Sequence, residues 1–361
     1  MKLPVKKQDS DKNLSQSEQR QYKLHLLLDK IGKQGQLRLK QAKILIIGAG
    51  GLGCPNLQYL TAAGVGNIGI VDFDTVEQSN LQRQVLYTIN DIGKPKATTV
   101  ARRLKKINPY INITAYNEPL SSKNALHLFK QYDLVIDGSD NFATRYLIND
   151  AAVLAKKPWI YGAVFNFEGQ LSVFNYKQGA TYRCLYPQEP NYEEVPNCTE
   201  LGVLGVLPGI IGSLQANEAI KIICKIGHVL TNKLLIYNVL TMKQNLLKLK
   251  RTKRAQLTRI KATDIFFCEE KNTSTAITLD ELKINWRKYN LLDIREDWER
   301  EEQNNQGQHI PLAELTQRYT ELPTDKPLVV YCNSGSRSEI AINLLKEKLS
   351  SVSFIKLKGK L

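Results

Sequence analysis

Residues 44–74 read ILIIGAGGLGCPNLQYLTAAGVGNIGIVDFD. An apolar run leads into a glycine-rich turn, a helix-like segment follows, and a second apolar run ends in acid. Gly48, Gly50 and Gly53 satisfy G-x-G-x-x-G, and Asp72 lies about 20 residues on, the spacing of a strand–turn–helix–strand nucleotide cradle. The turn alone indicates a phosphate-bearing group at a helix N-terminus, where free N–H groups and the dipole favour anions. It does not say which nucleotide.

Outward from this stretch, residues 43–175 alternate between β-branched apolar runs (KILIIG, NIGIVDF, NITAY, DLVIDG, PWIYGAV) and segments with helical spacing at 54–64, 96–107, 122–131 and 142–155. That alternation predicts an α/β fold, a Rossmann-like doubly wound, mostly parallel sheet covered on both faces. FEGQLSVFNY (167–176) alternates strictly enough to be an antiparallel addition. The stretch VLGVLPGIIGSLQANEAIKIICKI reads as a long apolar helix interrupted by Pro208 and Gly209. After about residue 275 the pattern restarts, with NLLDI, PLVVYC and SVSFIKL as strands and RSEIAINLLKEKL as a helix. The expected organisation is a nucleotide-binding domain over 1–250, a basic linker over 251–274 and a small α/β domain over 275–361.

At 361 residues, with 42% apolar and 24% charged residues, the chain has room for two domains. It contains no apolar run of the length a membrane span needs, and its polar N-terminus has no apolar signal core, so a cytoplasmic protein is expected. The six cysteines (Cys54, Cys184, Cys198, Cys224, Cys268, Cys332) contain no C-x-x-C pair, which favours free thiols over disulfides or zinc knuckles. The net charge of +15 resides in residues 1–274, because later residues carry 13 basic against 13 acidic side chains. Residues 241–261 hold eight basic residues and no acid. A solvated strand end and linker explain them, or a surface for an acidic protein; nucleic acid is disfavoured because aromatics are not interleaved.

The polar residues downstream of the cradle separate ATP from a dinucleotide. Asp72, Asn80, Arg83 and Lys96 lie within about 25 residues, and Asp140 in DGSDN follows the fourth strand at the same sheet edge. Two cations and a carboxylate around phosphates suit Mg-ATP chemistry, the cations meeting charge at phosphorus and Asp140 holding Mg²⁺. A nicotinamide oxidoreductase would need none of them. The pattern GAGGLGCP…GVGNIGIVDFDTVEQSNLQRQ…IGKPKA…DGSDN resembles the MoeB/ThiF-type (HesA/MoeB/ThiF) enzymes, relatives of the ubiquitin-activating enzymes, over roughly residues 20–250. The resemblance implies a homodimer that adenylates the C-terminal glycine of a small β-grasp sulfur carrier ending in Gly-Gly and releases pyrophosphate. By the same resemblance Gly51 and Asp72 contact adenosine, Asn80, Arg83 and Lys96 contact phosphates, and Asp140 binds Mg²⁺ with Asn141 beside it.

Two features depart from that family. The arginine it usually carries near the N-terminus is here Leu24, with Arg20 and Lys23 as the neighbouring cations. The paired C-x-x-C motifs for structural zinc are absent: the first reads TYRC, leaving Cys184 with Thr181, and the second is missing, so no zinc is expected.

YCNSGSRSE (331–339) ends one strand and opens a helix, placing Cys332 at the base of a small-residue loop (Asn333, Ser334, Gly335, Ser336) closed by Arg337. Inward-facing amides and a guanidinium would stabilise a thiolate or bound anion. Four residues separate Cys332 from Arg337, one fewer than in protein phosphatases, and the loop resembles that of rhodanese-like sulfurtransferases, as does NLLDIREDWE with Asp293 and Arg295. The two resemblances together imply a relay. The first domain adenylates the carrier, and Cys332, loaded as a persulfide by a cysteine-desulfurase-type donor, attacks the activated carbonyl to yield a thiocarboxylate for molybdenum-cofactor or thiamine biosynthesis. Cys198 occupies the position of a second thiol that forms a thioester or reduces the acyl disulfide, or is an inert loop cysteine. The competing reading is a catalytically impaired carrier-binding scaffold in which only the rhodanese-like centre is active.

Overall fold

The computed structural model describes residues 13–190, 202–261, 275–303, 306–332, 336–349 and 352–358. The chain divides into two compact units, Met1–Phe267 and Cys268–Leu361.

The first unit is built on an eight-stranded sheet. Its strands are β1 (Lys43–Ile47), β2 (Asn67–Val71), β3 (Asn112–Tyr116), β4 (Leu134–Asp137), β5 (Trp159–Phe165), β6 (Glu168–Phe174), β7 (Lys233–Asn238) and β8 (Gln244–Lys248). Their order is β3-β2-β1-β4-β5-β6-β7-β8, parallel from β3 to β5 and antiparallel from β6 onward. β1 is central, and Ile44 to Ile47 are all buried, because helices cover both its faces. The chain runs from β1 to β2 on one side and reaches β4 on the other, so the crossover directions diverge beside β1. Ligands of open α/β sheets bind at the strands' C-terminal ends at such a divergence.

The helices that flank it are α1 (Gly53–Ala62), α2 (Lys96–Ile107), α3 (Ala125–Gln131), α4 (Phe142–Ala155) and α5 (Val206–Cys224). α5 is continuous, which corrects the interruption expected at Pro208 and Gly209. Pro208 falls in the first turn, where an N–H would have no intrahelical acceptor, so the ring costs no hydrogen bond. Gly209 is tolerated because α5 is held by packing on α1, β5 and β6. Within that packing, the buried Gln215 side chain donates from Nε2 to the Asp137 carbonyl at 2.7 Å. Its Oε1 accepts from Asn56 Nδ2 at 2.8 Å, tying α5 to α1 and to the end of β4.

β8 is an exposed edge strand, and residues 251–261 return to the first unit rather than leaving it. Ala255 is buried there, Arg251 Nη1 donates to the Gly179 carbonyl at 2.7 Å, and the Lys261 amide donates to Asp150 at 2.8 Å.

The second unit is a five-stranded parallel sheet of β9 (Thr275–Thr278), β10 (Asn290–Asp293), β11 (Gln308–His309), β12 (Leu328–Tyr331) and β13 (Phe354–Lys358), in the order β11-β10-β12-β13-β9. β12 is central and wholly buried. The helices used below are α6 (Asp297–Glu302) and α7 (Ser336–Lys348).

Replacing Gln215 with Leu strands a buried carbonyl and a buried amide. It is expected to lower the first unit's stability by about 2–4 kcal/mol in urea denaturation; a loss below about 0.5 kcal/mol would show the amide to be dispensable.

Candidate functional site

The turn from β1 to α1 closes so tightly that side chains are excluded. Gly48 has φ +91°, and a Cβ there would lie 2.7 Å from the Gly138 carbonyl oxygen; a Cβ on Gly53 would lie 2.1 Å from the Gly48 oxygen. No side chain caps α1, so its first N–H groups face the turn. Beside it opens a cleft of about 220 Å³ lined by Gly48, Gly50, Gly51, Asp72, Arg83, Lys96, Asp140 and Asn141. Eight of the ten nucleotide-binding residues expected from sequence therefore share one cavity. The other two do not line it: Gly53 opens α1, and Asn80 is buried in a 3₁₀ turn with its side-chain nitrogen 3.4 Å from Ser79 Oγ.

Asp72, at the end of β2, accepts from the Ala49 amide at 2.7 Å and the Asp74 amide at 2.9 Å, which fixes the carboxylate against the glycine turn. Burial raises its pKa, with those amides and Lys96 opposing. Lys96, the first residue of α2, is buried and pairs with the half-exposed Asp74 at 3.0 Å. Arg83 Nη1 donates to the Ser79 carbonyl at 3.0 Å, leaving the guanidinium at the rim. Asp140 is exposed in the cleft, and Asn141 serves as the N-cap of α4, accepting from the Thr144 amide at 2.9 Å. No cluster of three metal-ligating side chains occurs among the described residues. Asp140, an exposed carboxylate in the cleft, has the chemistry to be one ligand of a magnesium ion whose remaining ligands are phosphates and water.

Sequence reasoning missed Ser139 and Arg145, which line this cleft, and the Asp137 carboxylate buried against them. Asp137 is fully buried at the end of β4; Ser139 donates to it from its amide at 2.9 Å and its hydroxyl at 2.6 Å, and Arg145 Nε lies 3.6 Å away. Arg145 is 4% exposed and lies over the Phe142 and Tyr161 rings at 5.6 and 5.8 Å. The signal was a charged residue in a mostly apolar helical segment, FATRYLINDAAVLA. Gln84 also lines the cleft, 4% exposed. Asp74, two residues after Asp72, was visible in VDFDT but passed over as the partner of Lys96.

Leu24 sits on a short helix, 77% exposed. Cys184 is held by Thr181 and Thr252, whose amides and hydroxyls lie 3.4–3.5 Å from its sulfur. Burial pushes this thiol's pKa up, but those hydrogen bonds outweigh it and leave it lowered. Cys54 and Cys224 are buried, with pKa values pushed by desolvation up to about 12 and about 11, as suits inert core thiols. Cys198 and Cys268 lie outside the described residues.

In the second unit Cys332 directly follows β12 and is 3% exposed. The buried Ser338 hydroxyl, on the first turn of α7, donates to its sulfur at 3.2 Å. Asn333, Ser334 and Gly335 lie outside the described residues, and Ser336 opens α7. Asp293 is in register with Tyr331, one residue before the thiol. It forms a two-pronged pair with Arg295 at 2.9 and 2.7 Å, whose guanidinium lies 5.7 Å over the Tyr331 ring. Arg337 makes its own two-pronged pair with Glu299 of α6, both bonds at 2.6 Å, a partner the sequence reading did not name.

A phosphate cradle at the switch point of a doubly wound sheet, followed by a parallel α/β unit with a thiol at its central strand end, defines a nucleotide-using enzyme with a second, thiol-bearing unit. The profile of the ThiF family matches residues 22–259, and that of the rhodanese-like domain matches residues 275–357. A probable adenylyltransferase/sulfurtransferase MoeZ of Mycobacterium tuberculosis is 42% identical over 351 residues, 92% of this chain and 90% of that protein. A sulfur carrier protein adenylyltransferase of Thermus thermophilus is 49% identical over 238 residues, 64% of this chain and 88% of that protein. The crystal structure of E. coli MccB with ATP superposes with a TM-score of 0.58 at 24% identity, covering 68% of this chain and 75% of that one, and shares its fold. The chain belongs to the ThiF family and carries a rhodanese-like domain behind the ThiF unit. It is an enzyme, an ATP-using adenylyltransferase with a sulfurtransferase domain.

Burial lifts the Asp137 pKa from 3.8 to about 6, with Arg145 and Ser139 opposing. The folded state thus holds this proton more tightly than the unfolded chain, so the contribution of Asp137 to stability is full below pH 3.8 and lost as pH rises through about 6. Relative to Asp137→Asn, the wild type should lose stability across that interval in denaturation measured at a series of pH values. Parallel curves would show that Asp137 is not held protonated.

Proposed function

We propose that this enzyme adenylates the C-terminal glycine of a small ubiquitin-like sulfur carrier and then converts it to a thiocarboxylate with sulfur delivered by Cys332. The observation that carries the reading is the convergence of the side-chain-free cradle, Arg83 and Lys96 on one cleft in a chain whose relatives include a sulfur carrier adenylyltransferase. ATP lies with its phosphates at the N-terminus of α1, Gly48, Gly50, Gly51 and Gly53 admit the backbone to close range, and Asp72 and Gly51 face the adenosine. Arg83, Lys96 and Asn80 meet charge on the phosphates, and Asp140, with Asn141 beside it, holds Mg²⁺. Lys96 leaves the half-exposed Asp74 for the more highly charged triphosphate when it arrives, and the freed Asp74 carboxylate returns to solvent.

The carrier carboxylate attacks the α-phosphorus, pyrophosphate departs with the electron pair of the broken P–O bond, and the acyl adenylate is the electrophile for sulfur. The Cys332 persulfide, charged by a cysteine-desulfurase-type donor, attacks the acyl carbon and displaces AMP. Reduction of the acyl disulfide by a thiol, with Cys198 as our candidate, frees the thiocarboxylate. We assign the adenylylation domain to residues 1–250, a linker to 251–274 whose first part, through residue 261, lies against the first unit, and the sulfurtransferase domain to 275–361. The working form is a cytoplasmic homodimer, and the pathway is molybdenum-cofactor or thiamine biosynthesis, both of which use carriers with Gly-Gly tails. No helix among the described residues is long and apolar enough to cross a membrane.

A second reading, a carrier-binding scaffold with only the Cys332 centre active, is favoured by one residue. Leu24 stands exposed where the family has an arginine, and an alkyl group cannot stabilise charge on phosphate. ATP–pyrophosphate exchange measured with each class of Gly-Gly carrier in turn separates the two. Carrier-dependent exchange, reduced about 100-fold or more by Lys96→Ala, is expected. Carrier binding without exchange would establish the scaffold instead.

A further inference from the structure

Lys96 is a buried cation of the nucleotide cleft, and the backbone sets a carboxylate beside it. Segments 74–76 and 93–96 run antiparallel to each other: the Val76 amide donates to the Lys94 carbonyl at 2.9 Å, the Gly93 amide donates to the Val76 carbonyl at 2.8 Å, and Thr75 bridges Pro95. At the end of this ladder the Lys96 amide donates to the Asp74 carbonyl at 2.8 Å. Main-chain bonds thus fix Asp74 and Lys96 as neighbours, independently of their side chains. The ammonium donates to Asp74 Oδ2 at 3.0 Å, with 7% of the lysine side chain exposed against 51% of the aspartate side chain. Asp72 also lies in the field of Lys96, but its two oxygens accept the Ala49 and Asp74 amides.

The pair is asymmetric. A nearly buried ammonium has little access to water and depends on an anion for its solvation, whereas a half-exposed carboxylate has water as an alternative. Lys96 therefore exchanges one anion for another, and Asp74 is the anion it holds while the cleft is empty. Both side chains belong to residues that line the cavity with the glycine turn. A triphosphate that takes the ammonium faces two penalties set by Asp74. The existing charge pair is broken, and a carboxylate without its partner remains in the lining, repelling the incoming anion. A neutral side chain at position 74 would impose neither penalty.

We propose that Asp74 is an internal competitor of the phosphates for Lys96: a positioning residue that holds the ammonium in the empty cleft and thereby weakens ATP binding. This rests on the reading that Lys96 meets the phosphates. The test is calorimetric titration of ATP into the full chain without carrier, so that ATP is bound and not consumed. Wild type, Asp74→Asn, Lys96→Ala and the double variant are compared, each with and without Mg²⁺. Asparagine keeps the main-chain bonds at position 74 and removes the charge. Asp74→Asn should tighten ATP binding about fivefold, the upper scale of a partly exposed ion pair. The gain should shrink to about twofold or less when Lys96→Ala is already present, because the pair no longer exists to be broken. A purely structural residue would loosen binding on replacement, so unchanged or weaker binding by Asp74→Asn overturns the inference. Weakening confined to the Mg²⁺ series would make Asp74 a metal ligand instead. Equal tightening in both backgrounds would reduce its effect to repulsion and also overturn the competitor role. Should Lys96→Ala fail to weaken binding even in the Asp74→Asn background, the phosphate-contacting reading of Lys96 falls, and this inference with it.

Discussion

Backbone oxygens decide the geometry of the first unit. The Gly48 carbonyl approaches the start of α1 so closely that a Cβ at Gly53 would be 2.1 Å from it, while the Gly138 carbonyl at the end of β4 crowds Gly48 from the other side. Three segments, the ends of β1 and β4 and the first turn of α1, meet where any side chain would wedge them apart. The meeting places the uncapped amides of α1 beside the cavity and brings Ser139 and Asp140, after β4, into one cavity with Asp72 and Asp74, after β2. Gln215 then clamps the junction from behind through the Asp137 carbonyl and Asn56. On the proposed reading, cations gathered there meet phosphates at short range in a partly desolvated site, where their charge is worth more than in water.

The second unit applies a different rule to its functional group. Cys332 follows a buried parallel strand, so its position is inherited from β12, but its surroundings are made of matched charges: Asp293 with Arg295, Glu299 with Arg337. A phosphate site needs cations with charge to spare. Here each arginine is paired with a carboxylate that also accepts a backbone amide.

Much of this was legible in the sequence because it rests on local signals. The glycine spacing, the apolar runs of β1, β2, β4 and β5 and the C-x₄-R loop each depend on a few neighbouring residues. What was missed depends on contacts across the chain. Gln215 reads as an ordinary helix polar residue until β4 is placed under it, and Glu299 reads as one acid among many in REDWEREE until α6 is laid beside Arg337. Arg145 reads as a surface charge until both faces of α4 are found buried. Pro208 misled for the opposite reason: a helix breaker in mid-segment is harmless in a first turn, and only the position of the helix start, set by packing on α1, distinguishes them. Residues 251–261 read as linker from charge alone; the burial of Ala255 and the hydrogen bonds of Arg251 to Gly179 and Lys261 to Asp150 depend on partners far away in sequence.

The central claim is that one chain both activates a carrier and supplies its sulfur. Its most direct test is the intact mass of a Gly-Gly carrier after incubation with the full chain, Mg-ATP, a persulfide donor and a thiol reductant. The account predicts a carrier in which the C-terminal carboxylate has exchanged one oxygen for sulfur, with a Cys332→Ser chain stopping at the adenylate. A carrier that gains sulfur equally well with Cys332→Ser, or that is adenylated by the wild type and never gains sulfur, would contradict it.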